Sequence, residues 1–549
     1  MRPVGAAGRV VPGGGAVEIT YLGHAGFLIE TDAAVVVADP WLSPGGAFDS
    51  AWMQLPENDA LAPLVIEKLS RSPKARFLYI SHEHRDHFDP DLLARIAPRG
   101  FTVVIPRLRR SALRDWFARY GAASVVECAD GAEIPIPGGS LKVYVEDSGL
   151  NRDSALLVRA GGRAFLDLND CKVHDRIARI RDEDGPVHFF TAQFSGAVWH
   201  PICYEYDPAT FKAIAHRKRM GKFEAVARAI ETLAPEAFIA SAGPACFLDP
   251  DLFHLNFDAD GIFPRPSAFF AYARKRLRRS GVPVLLAPAP GDVVCDTGAV
   301  REGPGPRPTD DELPAYLRAY ADRRASVLAD RIRPLSGAEA LGVLRSLRAE
   351  LAGKLDAFVL RARVERPLYV GLDELPDRPL RVDFPAHRIE EATRIEHAHR
   401  YTLRARAPDI ARVLERRLTW DEFLLSFRHR MSRIPDQYDP LLHGFLAIEQ
   451  QDLGAFCDAV LAAESRQERI EIEADGRRWS IQRYCPHQGA DLAQAWVQGS
   501  CLVCPRHRWR FDLERHGRCQ ENGASIRARP AEGDQGAPEA LPAASSATG

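Results

Sequence analysis

The sequence predicts a mixed α/β protein in three folded parts: a large N-terminal α/β layered domain, a middle α+β/helical module, and a small all-β C-terminal domain. Three observations carry this prediction. The 549 residues exceed what one hydrophobic core holds and suggest roughly three domains. Apolar runs alternating with turns up to about residue 300 give way, past a Pro- and Gly-rich joint at 301–314, to long helical patterns. From Arg469 onward short strands and turns return, around two groups of cysteine and histidine.

Within 17–300, runs at 19–22, 27–30 and 35–38 read as successive strands separated by Gly23-His24-Ala25-Gly26 and Thr31-Asp32. Further strand runs stand at 76–80, 101–105, 141–145, 155–158 and 164–168, with helical patterns such as 91–97 and 111–119 between them. The middle module, 315–460, opens with helices over 314–331 and 337–355, then carries strand pieces at 368–370 and 401–403. Thr419-Trp420-Asp421-Glu422 predicts another helix start, Thr419 as N-cap and Glu422 at the N3 position of a capping box. The C-terminal domain is expected over 464–530. Residues 1–16, with Gly13-Gly14-Gly15, and 531–549, rich in Ala, Pro, Gly and Ser, are expected to be disordered.

The apolar fraction of 46% and charged fraction of 27% are those of an ordinary soluble protein. A net charge of −2 supplies no global field for nucleic acid or an anionic membrane, so neither is expected as a partner. The chain has no run of about 18 apolar residues, and its start lacks the apolar core of a signal peptide. Of the ten cysteines only the C-terminal group is clustered, which argues against a disulfide framework and for the cytoplasm.

Two motifs carry chemistry. Cys485-Pro486-His487 and Cys504-Pro505-Arg506-His507 give C-x-H-x16-C-x-x-H, in which each loop offers one thiolate and one imidazole. Two cysteines on one iron and two histidines on the other make a [2Fe–2S] site; tetrahedral zinc is the alternative, though zinc-finger spacings differ. Upstream, Ser81-His82-Glu83-His84-Arg85-Asp86-His87 ends a strand with three histidines and an aspartate in six residues, the pattern of a metal site. His82 and His84 can serve one metal, Asp86 and His87 a second. Paired metals activate water or, if iron, dioxygen.

The C-terminal segment resembles the Rieske family through Tyr484-Cys485-Pro486-His487-Gln488-Gly489 and Cys504-Pro505-Arg506-His507-Arg508-Trp509. The extra cysteine pair of respiratory Rieske proteins is replaced by Ala490 and Arg506, which places the domain nearer the oxygenase and ferredoxin type. The N-terminal motif, with Gly23-His24-Ala25-Gly26 and Ala38-Asp39-Pro40-Trp41-Leu42, resembles the metallo-β-lactamase superfamily, and implies its αββα sandwich. That resemblance assigns Asp170, after the strand 164–168, as the acidic ligand bridging two metals. No histidine lies between His87 and Asp170, so the third ligand is assigned to Glu146, with Asp147 and Asp153 as competitors. The last histidine of that family is missing from 239–244; His254 is a candidate, and His24 is expected near the site without ligating.

A carboxylate in place of an imidazole suits iron. The combination resembles the CMP-N-acetylneuraminate hydroxylase family, to which Gln193-Phe194-Ser195-Gly196-Ala197 and the stretch from Leu418-Thr419-Trp420-Asp421 to Asp436-Gln437-Tyr438 are also similar, although its Rieske segment lies at the other end. The resemblance implies a monooxygenase. Its cofactors would be a [2Fe–2S] cluster on Cys485, His487, Cys504 and His507, and two metal ions, iron or alternatively zinc, on His82, His84, Asp86, His87, Glu146 and Asp170. Asp86 and Asp170 are its expected catalytic residues. Its partners would be O2, a ferredoxin or flavin reductase, and a small-molecule substrate that undergoes C-hydroxylation or N-oxygenation. The rival is a di-zinc hydrolase with an accessory Rieske domain. The middle module is read as possibly sterol-carrier-like.

Overall fold

The computed structural model describes residues 17–148, 150–329, 334–519 and 524–531. The disorder expected for 1–16 and 531–549 falls, Ala531 apart, outside the described residues. The chain divides into two compact units, Met1–Leu461 and Ala462–Gly549.

The first unit opens with strands β1 (Glu18–Gly23), β2 (Gly26–Glu30), β3 (Ala34–Ala38), β4 (Ala75–Tyr79), β5 (Thr102–Pro106) and β6 (Ser124–Cys128). There follow β7 (Ala132–Ile136), β8 (Gly139–Asp147), β9 (Arg152–Ala160), β10 (Arg163–Asp167), β11 (Phe189–Gln193), β12 (Ala237–Ser241), β13 (Val284–Leu286), β14 (Val293–Val294) and β15 (Val300–Arg301). They form two sheets, ordered β15-β14-β1-β2-β3-β4-β5-β6 and β13-β12-β11-β10-β9-β8-β7.

Strand alternation builds the layers. Val36 points between the sheets with Phe27, Val143 and Phe165, while Val35 and Val37 point to the outer face. That outer face packs on α1 (Ala62–Arg71), α2 (Pro90–Leu93) and α3 (Leu113–Tyr120) through Val65, Leu92 and Phe117. The second sheet is covered by α4 (Ile177–Asp184), α5 (Pro208–Leu233) and α6 (Pro266–Arg276) through Ile180, Val226 and Phe269. Helices on both outer faces of two stacked sheets make the αββα metallo-β-lactamase fold that the sequence predicts.

The middle segment comprises α7 (Leu313–Ala329), α8 (Gly337–Ala357), β16 (Leu368–Leu372), β17 (Leu380–Asp383), β18 (Arg388–Glu391), β19 (Arg400–Ala405), α9 (Ala407–Leu414), α10 (Trp420–Leu425), β20 (His429–Ile434) and α11 (Pro440–Ala447). Its sheet runs β18-β17-β16-β19-β20, an α+β arrangement. The Pro/Gly joint at 301–314 does not leave this module separate from the sandwich. One hydrophobic core contains Trp41, Phe48, Trp52 and Phe247 from the sandwich with Leu347, Val370, Phe423 and Phe445 from the module. The indole N–H of Trp52 donates to the Leu425 carbonyl at 2.8 Å, and Met431 of β20 exchanges backbone bonds with Cys203 (2.7 Å) and Glu205 (2.9 Å). Buried Arg428 donates to Asp249 at 2.8 Å and to the Asp49 carbonyl at 2.9 Å.

The second unit carries β21 (Arg469–Ala474), β22 (Arg477–Gln482), β23 (Trp496–Gln498), β24 (Cys501–Val503), β25 (Arg510–Asp512), β26 (Arg518–Cys519) and β27 (Ala528–Pro530). Sheets β21-β22-β27 and β23-β24-β25-β26 enclose a small core of Trp479, Ile481, Leu502 and Phe511. Among the described residues no helix is long and apolar enough to cross a membrane.

Candidate functional site

The loop 81–87 leaves the end of β4 and is fixed at both ends by buried aspartates. Asp39, just after β3, accepts from the Ser81 amide at 2.8 Å and from His87 Nδ1 at 2.8 Å. Asp89 caps α2 through the Leu92 amide (2.9 Å) and also accepts from the amides of Leu42 and Ser43. Inside the loop the His87 and Phe88 amides both return to the His84 carbonyl, at 3.0 and 2.7 Å, so the chain turns tightly and throws its side chains inward. His82, Asp86 and His87 are buried.

Two groups of side chains converge closely enough to hold an ion: His24, Asp86 and His87, and His82, His87 and Asp170. His87 belongs to both. Asp39 accepts the proton on His87 Nδ1, so Nε2, facing Asp170 Oδ1 (3.5 Å) and Asp86 Oδ2 (3.8 Å), holds either a second proton, which those carboxylates favour, or a metal ion in its place. His87 Nε2, Asp86 Oδ1 and Asp170 Oδ1 are buried and lack a hydrogen-bond partner, a set of electron pairs that a cation would satisfy. His82 Nε2 faces His84 Nδ1 at 2.9 Å, so a proton or a metal ion must lie between these two nitrogens. The residues therefore fit metal ions on the donor chemistry alone.

The same crowding sets the protonation states. His82 is pushed down to about 3 by burial and by the charge of His87. Asp86 is held down at about 2: burial opposes this, and His87, His24 and His84 outweigh it. Asp170 is held below the carboxylate range against its burial by His87, His82 and His84. Asp153 beside it is pushed well up, by burial and by the Asp170 charge. Asn169 aims Asp170: its side chain accepts from the Asp170 amide at 2.6 Å and donates to the Ser154 carbonyl at 2.8 Å.

Of the sequence candidates, His82, His84, Asp86, His87 and Asp170 come together in this pocket. Glu146 is buried and accepts from the Ser148 hydroxyl; its direct partner across the β8–β9 ladder is Asp153. Asp153 is the carboxylate that meets the loop, its Oδ1 3.1 Å from His82 Nδ1. Asp147 accepts from the Arg109 amide at 2.7 Å, and His254 is exposed on a 3-10 turn. His24, expected to flank the site, has its Nε2 3.1 Å from Asp86 Oδ2, inside the first group.

One participant has no counterpart in the motif reading. Thr419 caps α10 as predicted, with the Glu422 amide donating to its hydroxyl at 3.1 Å and the Thr419 amide to the Glu422 carboxylate at 2.9 Å. That cap presents the helix's first turn to the metal loop. Asp421 Oδ2 lies 3.1 Å from His84 Nε2, and Glu422 lies 3.6 Å from Arg85. Burial pulls the His84 imidazole down, but Asp421 prevails and lifts it to about 9. An acidic residue in a first helical turn is ordinary dipole compensation, which gave no sign of this second duty.

In the second unit the two cluster loops are built alike. The Cys485 amide donates to the Ala490 carbonyl (2.9 Å) and the Gly489 amide to the Cys485 carbonyl (2.9 Å). Five and four residues apart in the same way, Cys504 bonds Trp509 (3.0 Å) and Arg508 bonds Cys504 (2.9 Å). Each loop turns through a positive φ, at Gly489 (67°) and Arg508 (60°). The thiols of Cys485 and Cys504 are buried against each other. Cys504 is held below the thiol range: burial opposes this, and Cys485 with the backbone amides of His507 and Arg506 outweighs it. The rings of His487 and His507 lie 4.4 Å apart, with Nδ1 of both buried, and Trp509 stacks on His487 at 4.1 Å. Two thiols and two imidazoles converging in one apolar pocket fit a [2Fe–2S] cluster. Cys501 and Cys519 are buried.

Comparison with known proteins agrees with this geometry. A Rieske [2Fe-2S] domain model matches residues 457–529, and a beta-lactamase superfamily domain model matches 18–144. A protein named as a Rieske 2Fe-2S iron-sulfur protein in Mycolicibacterium smegmatis is 30% identical over 528 residues, covering 92% of this chain and 98% of the relative. The chain belongs to this Rieske iron–sulfur protein family. A Mycobacterium tuberculosis relative of the same description is 29% identical over 526 residues, with 92% and 98% covered. Cytidine monophosphate-N-acetylneuraminic acid hydroxylase of Pan troglodytes is 23% identical over 461 residues, 79% of this chain and 72% of the relative. Among solved structures, CmlA, a diiron beta-hydroxylase from Streptomyces venezuelae, matches at 18% identity and TM-score 0.34, over 50% of this chain and 53% of that one. This Rieske family member thus joins a [2Fe–2S] domain, a carrier of single electrons, to a metallo-β-lactamase fold, and is an oxidoreductase in the broad sense.

Proposed function

We propose that the protein is a Rieske-coupled di-iron oxygenase that inserts oxygen from O2 into a small molecule by C-hydroxylation or N-oxygenation. Its electrons would come from an external ferredoxin or flavin reductase. The observation that carries the reading is that His87 joins two ion-sized groups, one with His24 and Asp86 and one with His82 and Asp170, and that these residues include buried donor atoms without hydrogen-bond partners, in a chain that also holds a Rieske domain. The hydroxylase relative supports the same class of reaction.

The cluster would be held by Cys485, His487, Cys504 and His507, and two irons by His82, His84, Asp86, His87 and Asp170, with Asp153, Glu146 and His24 as the remaining donors. Bound there, these groups supply one-electron delivery and oxygen activation. The chain's own residues set the stage for that chemistry. Asp39 takes the Nδ1 proton of His87 and frees Nε2 for a metal, and Asp421 does the same for Nδ1 of His84 by accepting at Nε2. Asp153, whose proton burial and the Asp170 charge favour, would give up that proton on taking a metal.

Metal analysis combined with oxygen uptake tests the reading. Protein grown with iron should carry about four irons per chain and consume O2 in a reductant-dependent way. About two irons with two zincs, and no uptake, would replace it with the di-zinc hydrolase; about two irons alone would leave an electron carrier.

A further inference from the structure

Two neighbouring residues at the start of β9 grip two neighbouring residues of the metal loop. Arg152 and Asp153 open the strand, and strand alternation sends their side chains to opposite faces. Asp153 meets His82, its Oδ1 3.1 Å from Nδ1. Arg152 meets the next loop residue: its Nη1 donates to Glu83 Oε1 and, at 3.1 Å, to the Arg110 carbonyl. One half of this clasp ends on a metal-site histidine, the other on a residue with no place in the metal pocket.

Glu83 stands between His82 and His84, whose facing nitrogens are 2.9 Å apart. Its Oε2 accepts from the Ala112 amide at the start of α3, at 2.9 Å. Asp147, opposite Arg152 across the β8–β9 ladder, accepts from the Arg109 amide at 2.7 Å. The segment 109–112 is thereby pinned three times, by Asp147, Arg152 and Glu83, and it backs the loop and the strand together. The side chains of Arg152 and Glu83 are 17% and 25% exposed, so the pair is sheltered from the screening that weakens surface ion pairs. Removing the guanidinium would strand a mostly buried carboxylate, whose other hydrogen bond among the described residues is to the Ala112 amide.

We propose that Arg152 is a positioning residue of the metal pocket: acting through Glu83, it sets the spacing between the loop that carries His82 and His84 and the strand that carries Asp153. The inference rests on reading this pocket as a metal site, and adds to that reading a residue that touches no metal.

Cobalt(II) titration of the full chain, stripped of its N-terminal metals by chelation, tests it. The ligand-field absorbance is taken as a difference from the cobalt-free sample, which cancels the colour of the cluster. Arg152→Gln, checked for native circular dichroism, should raise the cobalt dissociation constant by about tenfold or more and displace the bands. Adding Glu83→Gln to that variant removes the stranded charge and should recover part of the lost affinity, because the two residues act as a pair. Should Arg152→Gln fail to fold, Glu83→Gln alone must displace the bands. Wild-type affinity and bands in Arg152→Gln, or in Glu83→Gln where that variant stands in, would overturn the positioning role. A double variant no tighter than Arg152→Gln would overturn the route through Glu83. A wild-type chain that takes up no cobalt would instead remove the metal-site reading itself, and the inference with it.

Discussion

Nε2 of His84 rests 3.1 Å from Oδ2 of Asp421, a contact between residues 337 positions apart that ties the metal loop to the first turn of α10. Outer partners of metal-ligating histidines typically change affinity or activity by about 10–100-fold when removed. Asp421→Asn should therefore weaken metal retention by the N-terminal loop by that factor and leave the [2Fe–2S] absorbance untouched. Dialysis against a graded chelator followed by metal analysis measures it. Retention equal to wild type would make the Asp421 contact incidental.

His487→Cys replaces one imidazole with a thiolate and should lower the cluster potential, since histidine ligation raises it. The N-terminal metals should stay bound and the fold intact, while reductase-driven oxygen uptake stops. A variant that turns over at the wild-type rate would mean the Rieske domain does not feed the reaction.

Arg506 occupies the position of a respiratory-type disulfide cysteine, is buried, and donates to the Gln488 carbonyl at 3.1 Å, bridging the two cluster loops. A buried guanidinium beside the cluster favours the reduced, more negative state. Arg506→Met should lower the midpoint potential by about 60 mV, one decade in a one-electron equilibrium. Redox titration followed by electron paramagnetic resonance reads the shift, and an unmoved midpoint would leave Arg506 a purely mechanical bridge.

Lys354 is fully buried in the module, donating to the Leu446 carbonyl at 2.9 Å with its ammonium 4.6 Å from the Trp420 ring centre. Burial pulls its amine down to about 7, partly offset by Glu449 and Glu350. The folded chain thus releases this proton near pH 7 while the unfolded chain keeps it until about 10.4. Within that window the unfolded state binds more protons, so this group's contribution to stability rises with pH, by about 1.4 kcal/mol per unit, and is flat below pH 7. Lys354→Met should flatten the rise in urea midpoint between pH 7 and pH 10. An identical slope in both proteins would place the titrating group elsewhere.

The strands and helices were legible because local pattern and burial agree. Val35, Val36 and Val37 are β-branched and fully buried, and form the middle of β3; Thr419 and Glu422 make their capping box from residues three apart. The ligand loop was legible for the same reason, since His82, His84, Asp86 and His87 are near one another in sequence. What depended on distance was not. Glu146 and Asp153 sit opposite one another across a ladder, and only the three-dimensional course of β9 decides that Asp153 meets His82. Asp421 belongs to a different sheet system from the loop it touches. The Pro/Gly joint reads as a boundary, yet apolar faces on both sides of it close into one core, because a glycine-rich segment reports local backbone freedom and not which surfaces it later brings together.

The shared seam also has a consequence in time. A ribosome finishes the loop residues 82–87 long before it reaches Asp421, and at ordinary elongation rates the interval is on the order of half a minute. During that interval the sandwich lacks the module that closes its core, and any metal the loop captures is held without its distal clamp. On the metal-site reading, an ion captured before α10 arrives would be held more loosely than one bound after Asp421 reaches His84.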